Sequence, residues 1–296
     1  NASYYSPPVD RMSGIEVLKG ASGLQYGPSN IGGVVNYLTK TPEEGFKLSA
    51  KAGNYGYQLA QIEAGGKSES NGAIAGINII KSESNGYQDN GYKMSDILFK
   101  GGVSINPDQW LSLKYTHYDN NINTSYVGLR PNQYVSKQTS NPAPNDYFVT
   151  QRNAFDINHS WEVDADTKLN TLLYWSKLDR DYWRQSIAKR TQDATIFKAC
   201  NIGADCLVGR NREFQMLGLD SRISHAYKAL GIANEAEFGV RLHTESQINQ
   251  LVSSKTLAYS GRISMHEENR ANSLAMYAQN RLLLTKDFAL TPGVRV

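Results

Sequence analysis

The chain is poor in the side chains that most enzymes depend on. Of 296 residues only two are cysteine and five are histidine. His117, His159, His225, His243 and His266 fall at no H-x-x-x-H or mixed Cys/His ligand spacing, which argues against a metal enzyme. No G-x-S-x-G element is present either, so a serine-hydrolase nucleophile elbow is missing. No run of about 18 apolar residues occurs, and that excludes a membrane-spanning helix. A membrane barrel stays open, because a barrel strand presents one apolar and one polar face and leaves only a weak hydropathy signal. The formal net charge is +3, too small to point to nucleic acid, and nothing at Asn1 resembles a signal peptide. The two cysteines, Cys200 and Cys206, sit in a stretch rich in arginine and lysine. Taken alone they fit a metal clip, a redox pair or a structural staple.

What the chain has in quantity is tyrosine and glycine, 18 and 25 residues, at a mean hydropathy of -0.50. Such a composition, with long stretches of alternation, suits an all-β protein better than a helical one. Phe155, Ile157, His159, Trp161 and Val163 share one face of a strand whose other face carries Asp156, Asn158 and Ser160. Leu111, Leu113 and Tyr115 oppose Ser112, Lys114 and Thr116; Ala236, Phe238, Val240 and Leu242 oppose Glu235, Glu237, Gly239 and Arg241. The pattern predicts strands at 46–53, 57–67, 72–82, 95–105, 109–119, 150–163, 167–179, 212–226, 233–249 and 271–285, with an eleventh starting at 288–296. After the tight Asn54-Tyr55-Gly56 link, short connections alternate with long ones at 83–94, 120–149, 180–211 and 250–270. A soluble sandwich would carry Lys114, Asn158 and Glu237 on an ordinary solvated face, but it mixes loop lengths without regard to side. Strict alternation describes a meander with turns at one end and functional loops at the other, as in outer-membrane barrels. Tyr118, Trp161, Tyr174, Trp175 and Tyr227, near strand ends, match interfacial aromatic girdles.

Residues 11–42 behave differently. Ile15 to Lys19 reads as a short strand, Gly20-Ala21-Ser22-Gly23 as a breaker, Tyr26-Gly27-Pro28 as a turn, and Val34 onward as strand again. So many small residues suit a backbone packed closely against something else. The stretch from Ile15 to Lys40 resembles the end of the plug domain of TonB-dependent outer-membrane receptors, a family with the pattern I-E-V-L-[KR]-G, Y-G, G-G-V-[IV]-N, T-[KR]. Gly20, Tyr26, Gly27, Gly32, Gly33, Asn36 and Thr39-Lys40 carry the match. Ser273 to Val296 is similar to a mid-barrel hairpin of the same family.

The resemblance implies an all-β architecture: the C-terminal part of a plug at 1–42, then at 43–296 the N-terminal half of a transmembrane antiparallel barrel of 22 strands. On this expectation the chain is a fragment, without the TonB box, the first plug strands or the strands that close the cylinder. The resemblance also implies a receptor, not an enzyme, in the outer membrane of a Gram-negative bacterium. Such a receptor has no resident cofactor and carries iron as a bound chelate. Its partners are a ferric siderophore or ferric citrate, TonB with its inner-membrane energising complex, and outer-membrane lipid and lipopolysaccharide.

The expected ligand follows from charge. The connection 180–211 carries Arg180, Arg184, Lys189, Arg190, Lys198 and Arg210 against Asp181, Asp193 and Asp205. Arginine suits carboxylate-rich ligands because its planar fork binds them bidentately; the alternative is a solvated loop facing lipopolysaccharide phosphates. The chain resembles ferric-citrate receptors in "YGPSNIGGVVNYLTKTP", in Lys189-Arg190, in Gly218 to Arg222 and in an arginine at 270. By that resemblance Arg190, Arg222 and Arg270 hold citrate carboxylates. A hydroxamate or catecholate siderophore is the alternative, with Tyr126, Tyr134 and Tyr147 as aromatic contacts; haem, cobalamin, or a passive or structural barrel are further ones. The long-connection side is extracellular in this family, where no reducing system operates, so the resemblance turns Cys200 and Cys206 into an expected disulfide.

Overall fold

The computed structural model describes residues 5–27, 32–124, 129, 131–136, 141, 143–185 and 205–296. Two small strands come first. β1 (Met12–Leu18) and β2 (Val34–Thr39) pair antiparallel, and a 3-10 helix at Gly20–Tyr26 lies between them. Gly33 has φ of 124°, and a Cβ there would stand 2.6 Å from the carbonyl oxygen of Leu18, so only glycine lets the two strands meet. Asn36 lies opposite Glu16 and donates its amide to that carboxylate at 3.0 Å.

Ten long strands follow: β3 (Gly45–Ala52), β4 (Gln58–Lys67), β5 (Ile74–Ser84), β6 (Tyr92–Asn106), β7 (Gln109–Ile122), β8 (Tyr147–Glu162), β9 (Thr167–Gln185), β10 (Leu207–Ala229), β11 (Ile232–Ser254) and β12 (Arg262–Leu283). Each pairs antiparallel with its sequence neighbours, in one meander without crossovers. The expected eleventh strand is interrupted at Thr291-Pro292, where proline has no N–H for a ladder. It forms β13 (Ala289–Leu290) and β14 (Gly293–Arg295), both paired with β12. A single helical turn, α1 (Pro131–Val135), interrupts the connection between β7 and β8.

All ten strands stand where alternation places them, but they run further toward the long connections. The stretches 83–94, 120–149, 180–211 and 250–270 contract to 85–91, 123–146, 186–206 and 255–261. The ladder is made by backbone groups, so polar residues extend it as well as apolar ones do. At the other end the turns are tight. Leu230 and Gly231, with φ of 53° and 77°, close β10 onto β11 through two residues, both at positive φ as a type I′ hairpin requires.

Residues 5–26 touch β4, β6, β8, β10, β11 and β14, always on the same face of the sheet. The sheet therefore curls around them, and the face that meets them is concave. That face is polar: Gln61, Asn78, Ser82, Asp96, Thr116, Ser176 and Asp220 are buried on it. The convex face carries exposed Phe46, Leu48, Leu217, Leu242, Leu274 and Met276. A soluble core is arranged the other way round.

One row of register partners shows how the strands stand. It begins Leu48, Ile62, Ile79, Ile97 and continues through His117, Asn153, Lys177, Gln215 and Ser246 to Arg270. A row that is apolar on β3 to β6 and polar from β7 to β12 leaves the apolar band as it crosses the sheet, as tilted barrel strands require. Of the expected girdle, Trp161, Trp175 and Tyr227 are convex by alternation. Tyr118 and Tyr174 are concave: Tyr118 packs edge-on against Tyr5, and Tyr174 bonds His243.

Several concave glycines lie under an aromatic ring of the next strand. A Cβ on Gly218 would stand 2.2 Å from the ring of its register partner Tyr174, and one on Gly239 2.1 Å from that of Tyr277. Gly218→Val is expected to destabilise the folded protein by about 1–3 kcal/mol, the usual cost of overpacking. The readout is a lower temperature for loss of the compact band on unboiled gels of the full-length protein. In a Tyr174→Ala background the same substitution should cost much less.

Candidate functional site

At the long-connection end, alternation sorts the charges of β9. Across Asp179, Arg180, Asp181, Tyr182, Trp183 and Arg184 the even positions share the concave parity of Ser176, which lines the cavity there, and the odd ones share that of Lys177. Arg180, Tyr182 and Arg184 therefore point inward. Asp179 and Asp181 point outward, where Lys177 meets Asp179 and Glu213 at 3.7 and 3.0 Å. The neighbouring strands add Arg152 from β8 and Arg210 and Arg212 from β10. Five guanidinium groups thus share one stretch of wall, built from 148–152, 180–184 and 208–212. No carboxylate stands at a concave position within that stretch.

Aromatic rings interleave with them. Phe148 and Tyr182 are register partners that meet edge to face at 5.4 Å. Arg180 lies 5.8 Å from the centre of the Phe148 ring, and Arg184 lies 4.5 Å from that of Tyr182. Cation–ring contacts of this kind help hold a guanidinium in place. Arg180 is buried and donates to the carbonyl of Arg210 at 2.9 Å; Arg212 donates to Asn249 at 3.2 Å. Arg210 is exposed. An array of positive planar groups between aromatic rings can bind a planar or multidentate anion.

Beneath this array lies a floor made by the first residues of the chain. Arg152 sits 4.8 Å from the centre of the Tyr5 ring and donates to Thr116. Tyr5 packs on Tyr118 and accepts a 2.5 Å hydrogen bond from Arg11. Burial raises the Tyr5 phenol, with Arg11 and Arg152 pulling the other way, so it stays protonated at neutral pH. Arg11 also forms a buried 2.7 Å ion pair with Asp96 of β6. Further contacts pin the small sheet to β3, β4 and β6: Lys51 with Asp10, Lys40 with Glu63 at 2.5 Å, and Lys100 donating to the carbonyl of Thr39 at 2.9 Å.

The residues expected to hold ligand are distributed otherwise. Arg190 lies outside the described residues, as do Lys189, Tyr126 and Cys200. Arg222 is concave, but it donates at 2.7 Å to the side-chain oxygen of Gln25, part of the small-sheet segment. Arg270 is not in a loop: β12 carries it opposite Ser246, on the convex face with Leu274 and Met276, so it does not converge with the arginine array. Tyr134 is exposed on α1. Tyr147 packs edge-on against Tyr259 on the convex side, where burial, then Tyr147 and Asp146, push the Tyr259 phenol up to about 12. Cys206 is buried and carries no free thiol. Of the glycine motif, Gly20 and Tyr26 belong to the 3-10 helix, Gly27 has φ of 136°, and Gly32 and Gly33 lead into β2. Sequence reading missed Arg152 and Arg212 because it sought cations in loops. The signal was the period-2 spacing of cations, Arg210 with Arg212 and Arg180 with Arg184 on one parity against Asp179 and Asp181 on the other, once the strands are known to run through them.

A one-sheet antiparallel meander with a polar concave face, wrapped around a small glycine-rich segment, is similar to part of the barrel fold of outer-membrane siderophore receptors of known structure. Among solved structures the chain superposes on the ferripyoverdine receptor of the outer membrane of Pseudomonas aeruginosa with a TM-score of 0.81 and 18% identity, covering 100% of this chain and 43% of that one. It superposes on the ferric-catecholate import receptor Fiu of E. coli K12 with a TM-score of 0.77 and 17% identity, covering 97% and 49%. For the ferric citrate transporter FecA in its unliganded form the TM-score is 0.77 and the identity 18%, over 96% and 42%. In sequence it is 26% identical over 119 residues to the ferric-pyoverdine M114 receptor PbuA of Pseudomonas sp. (strain M114), 39% of this chain and 14% of the relative. The chain thus spans less than half the length of each of these proteins. No family model matches it.

Asp96→Leu leaves Arg11 buried without its partner and is expected to cost about 3–5 kcal/mol locally. Limited proteolysis of the full-length protein in detergent should then cut near residues 5–11 while the barrel stays intact. Adding Arg11→Met, which removes the stranded charge, should restore most of the protection.

Proposed function

We propose that this chain is part of a TonB-dependent receptor in the outer membrane of a Gram-negative bacterium, which binds an anionic ferric chelate and admits it when energy relayed through TonB displaces the plug. On this reading residues 1–42 are the C-terminal part of the plug, and 43–296 are the N-terminal half of a barrel of 22 strands. Iron is cargo here, held by its chelate. The carrying observation is the array of Arg152, Arg180, Arg184, Arg210 and Arg212 without a concave carboxylate in the same stretch of wall. Guanidinium groups pair with carboxylates bidentately and keep their charge at any relevant pH, which favours ferric citrate or a related carboxylate siderophore. The polar convex band with Lys177 and Arg270, beyond the apolar one, suits lipopolysaccharide phosphates.

Fluorescence titration of the full-length receptor with ferric citrate tests the ligand. Each of Arg210→Ala and Arg212→Ala is expected to weaken binding about tenfold, since a hydrogen bond to a charged group contributes about 1.5–3 kcal/mol. Unchanged affinity in both would remove the carboxylate reading. Phe148 and Tyr182 supply a second reading, an aromatic chelate such as a catecholate or pyoverdine. It predicts tighter binding of ferric pyoverdine than of ferric citrate, and a larger loss on Phe148→Ala than on Arg210→Ala.

Cys206, without a free thiol, pairs on this proposal with Cys200, the only other cysteine. Closing so short a ring contributes about 2 kcal/mol to loop order by the chain-entropy relation. Mass spectrometry of unreduced receptor should find the peptides linked; two free thiols would disprove the pairing.

A further inference from the structure

A second group of arginines lies nearer the short-turn end of the same concave wall. Arg222 of β10 donates to the side-chain oxygen of Gln25 at 2.7 Å. Arg241 of β11 donates to the carbonyl oxygens of Tyr26 and Gln25 at 3.3 and 3.5 Å. Arg295 of β14 donates to those of Leu24 and Gln25 at 3.2 and 3.4 Å. Three guanidinium groups from three strands thus converge on four neutral oxygens within three residues of the 3-10 helix.

The wall itself orders two of them. Asp220 accepts from Nε and Nη2 of Arg241 at 2.7 and 2.6 Å. Tyr277 lies across Gly239, donates to Glu237 at 2.9 Å, and places its ring 5.8 Å from the Arg295 guanidinium. The orientation of Arg241 and Arg295 is therefore set by wall residues that do not move with the small segment. Around Leu24, Gln25 and Tyr26 the three cations outnumber two carboxylates, Asp220 on Arg241 and Glu237, which keeps its charge while accepting from the neutral Tyr277 and Gln279. Amide oxygens are poorer acceptors for guanidinium than carboxylates, whose charge-assisted bonds are about twice as strong. A cavity of about 450 Å³ over the concave wall reaches from Arg152, in the outer array, to Tyr174 and Met216, close above Asp220.

We propose that Arg222, Arg241 and Arg295 form a second, inner anion site, in which the oxygens of Leu24, Gln25 and Tyr26 stand in for those of a carboxylate ligand. The segment closes the site by occupying it; when it withdraws, the site is offered to a carboxylate-bearing chelate leaving the outer array. This rests on the receptor reading above, and it adds an intermediate station and a reason why the segment reseats afterwards: its oxygens refill the site once the anion has left.

The test reads charge at the inner site directly, whatever the chelate. Gln279, opposite Gly293 and beside the cluster, is replaced by cysteine in the full-length receptor in living cells. The probes are the anionic sulfonatoethyl methanethiosulfonate and the cationic trimethylammonioethyl methanethiosulfonate, with the unmutated receptor as baseline. In energised cells the anionic reagent is expected to label Cys at 279 about tenfold faster relative to the cationic one than it does a simple thiol, the lower end of what a focused cleft potential does to local ion concentration. Adding Arg295→Gln should abolish that preference, and Arg295→Lys should keep part of it. Equal labelling by the two reagents, or a preference indifferent to Arg295→Gln, would overturn the inner site. Failure of ferric citrate to bind the unmutated receptor strikes the carboxylate reading instead, while the labelling ratio still decides for or against the inner site.

Discussion

A strand gives each side chain only two directions, and in a curled sheet those directions are solvents of opposite kind. Every other feature of this protein depends on that constraint, applied in register over ten strands. It places Leu217, Leu242 and Leu274 outside and Gln61, Asn78 and Asp220 inside. It also separates charges adjacent in sequence: Arg180 and Arg184 face the concavity, while Asp179 and Asp181 turn outward, Asp179 to Lys177. A net charge counted along the connection mixes six cations with three carboxylates; counted by face, it becomes an array of one sign. A shift of one residue in the register of β9 would exchange the two sets.

The small segment at the start of the chain is held by the wall at two levels. Toward the long connections the buried Arg11–Asp96 pair and the Tyr5 contacts fix it, and toward the short turns three arginines grip its 3-10 helix. The chemistry of the two grips differs. The first puts a charge of the segment against a charge of the wall in a dry place, where breaking one partner is costly. The second sets wall charges against backbone and amide oxygens, which are neutral and exchangeable. A segment held this way has a firm end and a releasable end, and the releasable end faces the arginines that an anion would favour.

The strand positions and the glycine motif were legible because both are local signals. Alternation marked all ten strands, and the spacing of Gly27, Gly32 and Gly33 marked backbone that must take positive φ or pass close to Leu18. Strand ends were not legible, since beyond the apolar band the ladder continues on backbone bonds alone and the side chains there read as loop. That single effect moved Arg180, Arg184 and Arg210 from loop to wall, and it set Arg270 on the convex face.

The sequence by itself determined the class of fold, the two-ended meander and the compact segment ahead of it, because period and turn chemistry act within a few residues. The tertiary structure alone decided which arginines meet. Arg222, Arg241 and Arg295 come together over a segment 197 to 271 residues earlier in the chain. Convergence of that kind depends on strand register and on the curl of the sheet, and neither is written in any short stretch of the chain.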